Sequence, residues 1–124
     1  MTLGDYIQQT SRLPWSWGIV DCTMWVADWV LLQTGVDPAA ALRGSYASEE
    51  EADALVADGL VPVIEAQGVL TATDAPQAND VGVIEVMGRQ VAAIHAGEGW
   101  AFRHPEGVGV VRAEPLAAWA LPGA

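Results

Sequence analysis

Residues 14–29 read PWSWGIVDCTMWVADW, and the fold is decided by how this stretch is read. Four of the six tryptophans fall here, Trp15, Trp17, Trp25 and Trp29, and the single cysteine, Cys22, sits between them. Pro14, Ser16 and Gly18 give the first half the composition of a turn. Asp21 is a good helix N-cap, because its carboxylate can accept from the amides of Thr23 or Met24. An apolar helix then runs to about Thr34, with Gly35 placed to end it. Cys22, Trp25, Val26 and Trp29 share one stripe, while Met24, Val30 and Leu31 make other faces apolar too. A helix apolar nearly all round is a buried helix, so Trp25 and Trp29 are expected in the core. The stretch reads as a loop that delivers Cys22 to the first turn of a buried helix.

Upstream, Thr2 caps a short helix, with Asp5 as a weak capping-box partner and Leu3, Tyr6 and Ile7 on one face. It ends by Leu13-Pro14, since the residue before proline disfavours helix. Downstream, Asp37 and Pro38 start a short helix that stops at Arg43-Gly44. Ser48 with Glu51 forms a capping box for another, with Gly59 as its terminator. Leu60 to Ala66 reads as one more short helix, ended by Gly68.

The period then changes. Val81 to Val86 is a β-branched alternating run, and Met87-Gly88-Arg89 is a hairpin turn into a return strand from Gln90 to Ala96. Further turns at residues 97–99 and 104–107 lead to strands at Trp100–Arg103 and Val108–Arg112. Glu114 and Pro115 begin a last short helix through Trp119. Helices followed by four antiparallel strands define an α+β protein, with N-terminal helices packed on a C-terminal antiparallel sheet. The 124 residues fit one domain, and a protein this size buries roughly two thirds of its unfolded surface.

The net charge is −11, from 16 acidic and 5 basic residues. With no basic patch to neutralise phosphates, nucleic acid is not an expected partner. The N-terminus lacks the basic and apolar regions of a signal peptide, so synthesis and first folding in a cytoplasm are expected. The apolar run near Trp25–Leu32 is broken by Asp28 and too short to span a bilayer, so no membrane insertion is expected. One Cys and two His without short ligand spacing make no zinc set, and no cofactor fingerprint is present.

Cys22 is the candidate nucleophile. A helix N-terminus favours a thiolate, whereas neighbouring Asp21 disfavours it. A lone cysteine in an apolar stripe is more often a small buried hydrophobe. A nucleophile needs a base in reach, and only His95 and His104 are available. His95 lies within a strand that could face the helix-covered side of the sheet. His104 sits in a turn beside proline.

These features resemble the NlpC-type cell-wall peptidases, a papain-like superfamily. Trp17-Gly18 and Asp21-Cys22 match that family's aromatic-Gly loop and Asp-Cys helix start. Asn79-Asp80-Val81 resembles its Gly-Asp step. Ala93-Ile94-His95-Ala96-Gly97-Glu98-Gly99 resembles the end of its later strand. The Pro-Trp-x-Trp-Gly…Asp-Cys opening is also similar to small tail-associated proteins of phages and gene-transfer-agent clusters. The resemblance implies a single NlpC-like domain over residues 1–124, with Cys22 as nucleophile. It departs at the base: the family histidine position is Val91, with Gln90 beside it. His95 takes the family's tyrosine position, on the same strand face but about 13 Å further along. Thr23 replaces the family's serine after cysteine.

Two functions follow from the resemblance. One is a structural component of a phage-type tail tip with a degenerate peptidase fold, made in the bacterial host cytoplasm and located in the virion tail. It would dock on a tail hub or tail-tip protein. The other is an active cysteine peptidase or amidase acting on peptidoglycan peptides, with Cys22 as nucleophile and His95 as a displaced base. Trp15, Trp17, Asp21 and Trp100 are the expected binding residues.

Overall fold

The computed structural model describes residues 1–121. Four helices precede the main sheet: α1 (Leu3–Thr10), α2 (Cys22–Thr34), α3 (Glu49–Leu55) and α4 (Leu60–Gln67). Six strands follow: β1 (Thr71–Ala72), β2 (Val81–Val86), β3 (Arg89–His95), β4 (Trp100–His104), β5 (Gly107–Val111) and β6 (Ala117–Ala120). They form one antiparallel sheet in the order β1-β6-β2-β3-β4-β5. The protein is therefore α+β, with helices first and the sheet last.

The helix ends follow local chemistry. Thr2 Oγ1 accepts from the Asp5 amide, and Ser48 Oγ accepts from the Glu51 amide, both at 3.1 Å. Gly35 and Gly68 close α2 and α4 in the left-handed conformation. Pro62 fits inside α4 because it lies in the first turn, where no intrahelical N–H is required.

Helix α2 is the centre of the packing. On one side Trp25, Val26, Trp29 and Val30 meet Tyr6 of α1, Leu60 of α4 and the inward residues of β2, β3, β4 and β6. On the other side Met24 and Ala27 pack on Ala39 and Tyr46. Both faces bury apolar area, which explains why the helix carries no amphipathic pattern. Only its last turn emerges, with Leu31 and Leu32 exposed. The sheet's outer face has a smaller core of Ile84, Ala93, Trp100 and Ala118.

Three expectations from sequence are corrected. The helix expected from Pro38 to Arg43 is a run of turns. Asp37 caps the Ala39 amide as a helix start would, but its carboxylate also holds the Arg43 guanidinium, which folds the segment back on itself. Gly59 does not terminate α3, which stops at Leu55; it is the N-cap of α4, at φ +99°. The helix expected over Glu114–Trp119 is strand β6, paired with β2 through Val81–Trp119, Gly82–Ala118 and Val83–Ala117. Ladder bonds to β2 on one side and β1 on the other outweigh the helix preference of alanine. The two-residue β1 flanks it on its far side.

Candidate functional site

The loop before α2 is tied down by one carboxylate. Asp21 is buried, and its Oδ1 accepts from the amides of Thr23 (3.0 Å) and Met24 (2.8 Å). Its Oδ2 accepts from the Gly18 amide (2.8 Å) and the Tyr46 hydroxyl (2.6 Å). All four donors belong to the protein itself, so Asp21, expected from sequence among the binding residues, pins the loop to the start of α2. The turn it closes needs Gly18. There φ is +79°, and a Cβ would stand 2.2 Å from the Tyr46 carbonyl oxygen. Gly18→Ala is expected to cost about 3 kcal/mol of stability, from positive-φ strain plus the clash. Urea unfolding measures this, and a loss under about 1 kcal/mol would show that the loop is not held this way.

Cys22 is the first residue of α2 and is partly buried. Among the described residues its sulfur has one side-chain hydrogen-bond partner, Thr23 Oγ1 at 3.9 Å. Burial pushes the thiol up to about 11, and the Asp21 carboxylate adds to this. Thr23 and Arg89 pull the other way without compensating. Desolvation therefore overrides the help that a helix N-terminus gives a thiolate.

A cleft of about 530 Å³ opens over Cys22. Its cause is a short pairing: β3 and β4 bond only through Ile94–Ala101 and His95–Trp100. Residues 89–93 and 102–104 then diverge. Trp15 and Trp17 line the opening, packed edge to face at 5.1 Å. At the tip of the β2–β3 hairpin, Met87 sits at φ +51° with its side chain almost wholly in solvent. Phe102, Arg103 and His104 line the cleft from β4. Arg103 was not picked out from sequence, although an arginine at an inward position between Ala101 and the strand end is a readable signal. It is buried, and its Nη groups donate to the carbonyls of Leu13 and His104. Its guanidinium carbon lies 5.7 Å from the Trp15 ring centroid.

The two histidines divide. His104 shares the cleft with Cys22, and its Nδ1 accepts from the Glu106 amide at 3.3 Å. His95 does not share it. In β3 the helix-facing core residues are Ala92 and Ile94, and Ala93 belongs to the outer core. By strand alternation His95 therefore faces outward, opposite to the expectation that it could face the helices. There it lies edge-on to Trp100 at 4.9 Å and lines a broad open depression of about 710 Å³ with Asp74, Glu98 and Arg112. That depression is the larger of the two hollows, yet it lacks the cysteine. His95 and Cys22 therefore line different hollows. Trp100, expected as an exposed anchor, is also corrected: it is buried, its ring lying across Gly82, where a Cβ would come within 2.9 Å. Gln90 has its Oε1 occupied by the Leu60 amide at 2.8 Å, fixing the start of α4.

No group of metal-ligating side chains occurs among the described residues, and none of their helices is long and apolar enough to cross a membrane. Residues 1–121 match the family described as a domain of unknown function, DUF6950, and the chain belongs to that family. No curated protein and no solved structure matches it.

Proposed function

We propose that this protein is a docking component of a phage-type tail tip, built on an NlpC-like, papain-type fold in which the catalytic pair is not assembled. The observation that carries the reading is the environment of Cys22. Its sulfur stands at a helix start beside an antiparallel sheet, as a papain-like nucleophile would. Yet its one side-chain hydrogen-bond partner among the described residues is Thr23, and no imidazole is hydrogen-bonded to it. A cysteine nucleophile requires a base within reach. What remains is a cleft with an aromatic rim, suited to binding rather than turnover. The partner is a tail hub or another tail-tip protein, and the site of action is the virion tail.

The rival reading is a peptidase or amidase acting on peptidoglycan peptides. His104 is the observation that favours it, since it lines the same cleft as Cys22. The state of the thiol separates the two. With the thiol pushed up to about 11, the thiolate fraction at pH 7 is about one in ten thousand. Iodoacetamide should therefore modify Cys22 far more slowly in the folded protein than in the urea-unfolded state at neutral pH. The folded-state rate should climb as pH rises toward 11. Rapid alkylation with a midpoint below pH 7 would mean an activated nucleophile and would overturn the docking reading. Particles assembled without this protein should lack a functional tail tip; normal particles would also count against it.

A further inference from the structure

Strand β5 ends the sheet on the side away from β1, and its outer edge is open. It reads Gly-Val-Gly-Val-Val, with no charge, no proline and no bulge in its pairing to β4. Those are the devices that ordinarily keep a sheet edge from pairing. The direction of its backbone groups follows from the hairpin. Pro105 and Glu106 form a two-residue turn, so His104 and Gly107 are the closing hydrogen-bonded pair. By alternation Gly107, Gly109 and Val111 turn their N–H and C=O groups toward β4. The Val111 carbonyl agrees: a Cβ on Gly99, just before β4, would stand 2.9 Å from its oxygen. Val108 and Val110 then direct their N–H and C=O groups outward. Among the described residues no backbone–backbone hydrogen bond outside the β4 ladder involves β5. A row of strong donors and acceptors therefore faces the open edge. Charge marks both ends of the strand. Glu106 precedes it and Arg112 follows it, and both are exposed. Among the described residues Glu106 has no ion-pair partner, and Arg112 has only Glu98, at 3.8 Å with both side chains largely in solvent.

We propose that the outer edge of β5 pairs with β5 of a second copy of this protein, antiparallel about a two-fold axis through Gly109. Two identical strands paired this way form a closed, self-complementary interface. The outward groups restrict the register. Val108 and Val110 must meet outward groups of the other copy, so the axis falls on a residue and never between two. Charge then selects the residue. With the axis at Gly109, Glu106 of each copy lies opposite Arg112 of the other. An axis at Val110 would bring Glu106 opposite Glu114, a like-charge pair. An axis at Val108 would bring Glu106 opposite Val110 and Arg112 opposite His104. The Gly109 register also fits the side chains. Val110, 59% exposed, pairs with Val108 of the second copy, a residue that itself packs on the main core. Gly107 lies opposite Val111, so the smallest residue meets a branched one. Opposite charges and apolar pairs directly across a ladder are both stabilising. One edge thus supplies the acid and the base that it needs, which is why the occupant is a second copy rather than an unrelated strand. The inference stands apart from the tail-tip reading, because β5 does not line the Cys22 cleft.

Sedimentation velocity of the full-length protein tests this, over a concentration series reaching about 1 mM. The salt is set near 0.15 M, where repulsion between two chains of net charge −11 is screened beyond about 8 Å. A monomer–dimer equilibrium is expected. Glu106→Arg sets arginine opposite arginine at both ends of the pairing and should weaken the dimer about tenfold or more. Arg112→Glu sets glutamate opposite glutamate and should weaken it as much. The double variant Glu106→Arg/Arg112→Glu restores both pairs and should dimerise like the wild type. So should an equal mixture of the two single variants, since each mixed dimer holds two opposite-charge pairs. Net charge alone makes a different forecast: Glu106→Arg leaves the protein less acidic and would strengthen association. Both side chains are exposed, so the variants are expected to fold, which circular dichroism checks. Should a charge variant not fold, Val110→Lys is the test, since it sets a charge on the apolar edge and should also weaken the dimer. A protein monomeric at every concentration would overturn the proposal, including one whose β5 pairs only with a strand of another protein. A dimer indifferent to these substitutions would overturn it too, as would a loss in the single variants that neither the double variant nor the mixture recovers. None of these outcomes bears on docking at the Cys22 cleft.

Discussion

Trp29→Ala is expected to lower the unfolding free energy by about 3–5 kcal/mol, the range for deleting a large buried aromatic. Trp29 is fully buried in the core between α2 and the sheet. Its ring lies 5.2 Å from that of Tyr6, which ties α1 to α2. Its Nε1 donates 3.0 Å to the Asn79 carbonyl, two residues before β2. Asn79 sits at φ +82°, a conformation that needs support from its surroundings. One side chain thus joins the first helix, the central helix and the entry to the sheet. Trp29→Phe keeps most of the ring and should cost less, mainly the lost hydrogen bond and the smaller volume. Urea unfolding of the three proteins gives the ranking. For a domain with total stability of about 5–15 kcal/mol, the alanine variant loses a large share. A loss below about 1 kcal/mol would show that Trp29 is not a core residue.

Asp21→Ala should cost a similar amount, about 3–5 kcal/mol, for a different reason. Removing an N-cap costs about 1–2 kcal/mol. The Gly18 amide and the Tyr46 hydroxyl are then left buried without acceptors, at about 1–3 kcal/mol each, although such losses are not simply additive. Asp21→Asn keeps an acceptor for the cap but presents an amide donor toward the other two donors. It should fall between wild type and alanine. Tyr46→Phe removes one of the stranded donors, so the double variant Asp21→Ala/Tyr46→Phe should cost less than the sum of the single changes. Strict additivity would mean that the two side chains are not coupled.

The parts of this fold that could be read from sequence are those set by near neighbours along the backbone. Asp21, Thr2 and Ser48 each cap amides two or three residues away, and Gly35 ends α2 one residue beyond it. Strands β2, β3 and β5 show in their β-branched residues, and β4 in the turns on either side of it. What was misread depends on distant partners. Ala117–Ala120 looks helical by itself and becomes a strand because β2, more than thirty residues earlier, accepts it. The segment after Asp37 carries a helix-start signal, yet Arg43 takes the same carboxylate and turns the backbone back.

The site was legible to the same limited degree. Cys22 at a capped helix start followed from local rules, and so did the aromatic loop with Trp15 and Trp17. The side on which His95 lies did not. Both faces of β3 are apolar, with Ala92 and Ile94 on one and Val91 and Ala93 on the other, so alternation alone cannot say which face the helices cover. The cleft itself comes from the early parting of β3 and β4, a matter of register that no local signal encodes. The setting of Arg103 is hidden for a related reason: its guanidinium donates to the carbonyl of Leu13, ninety residues away.

The claim that this fold docks rather than cleaves is tested most directly by incubating the purified protein with peptidoglycan peptide fragments. Wild type and Cys22→Ala are run in parallel, and released fragments are followed by mass spectrometry. The account predicts no release above the buffer control by either protein. Release by the wild type that disappears in Cys22→Ala would contradict it.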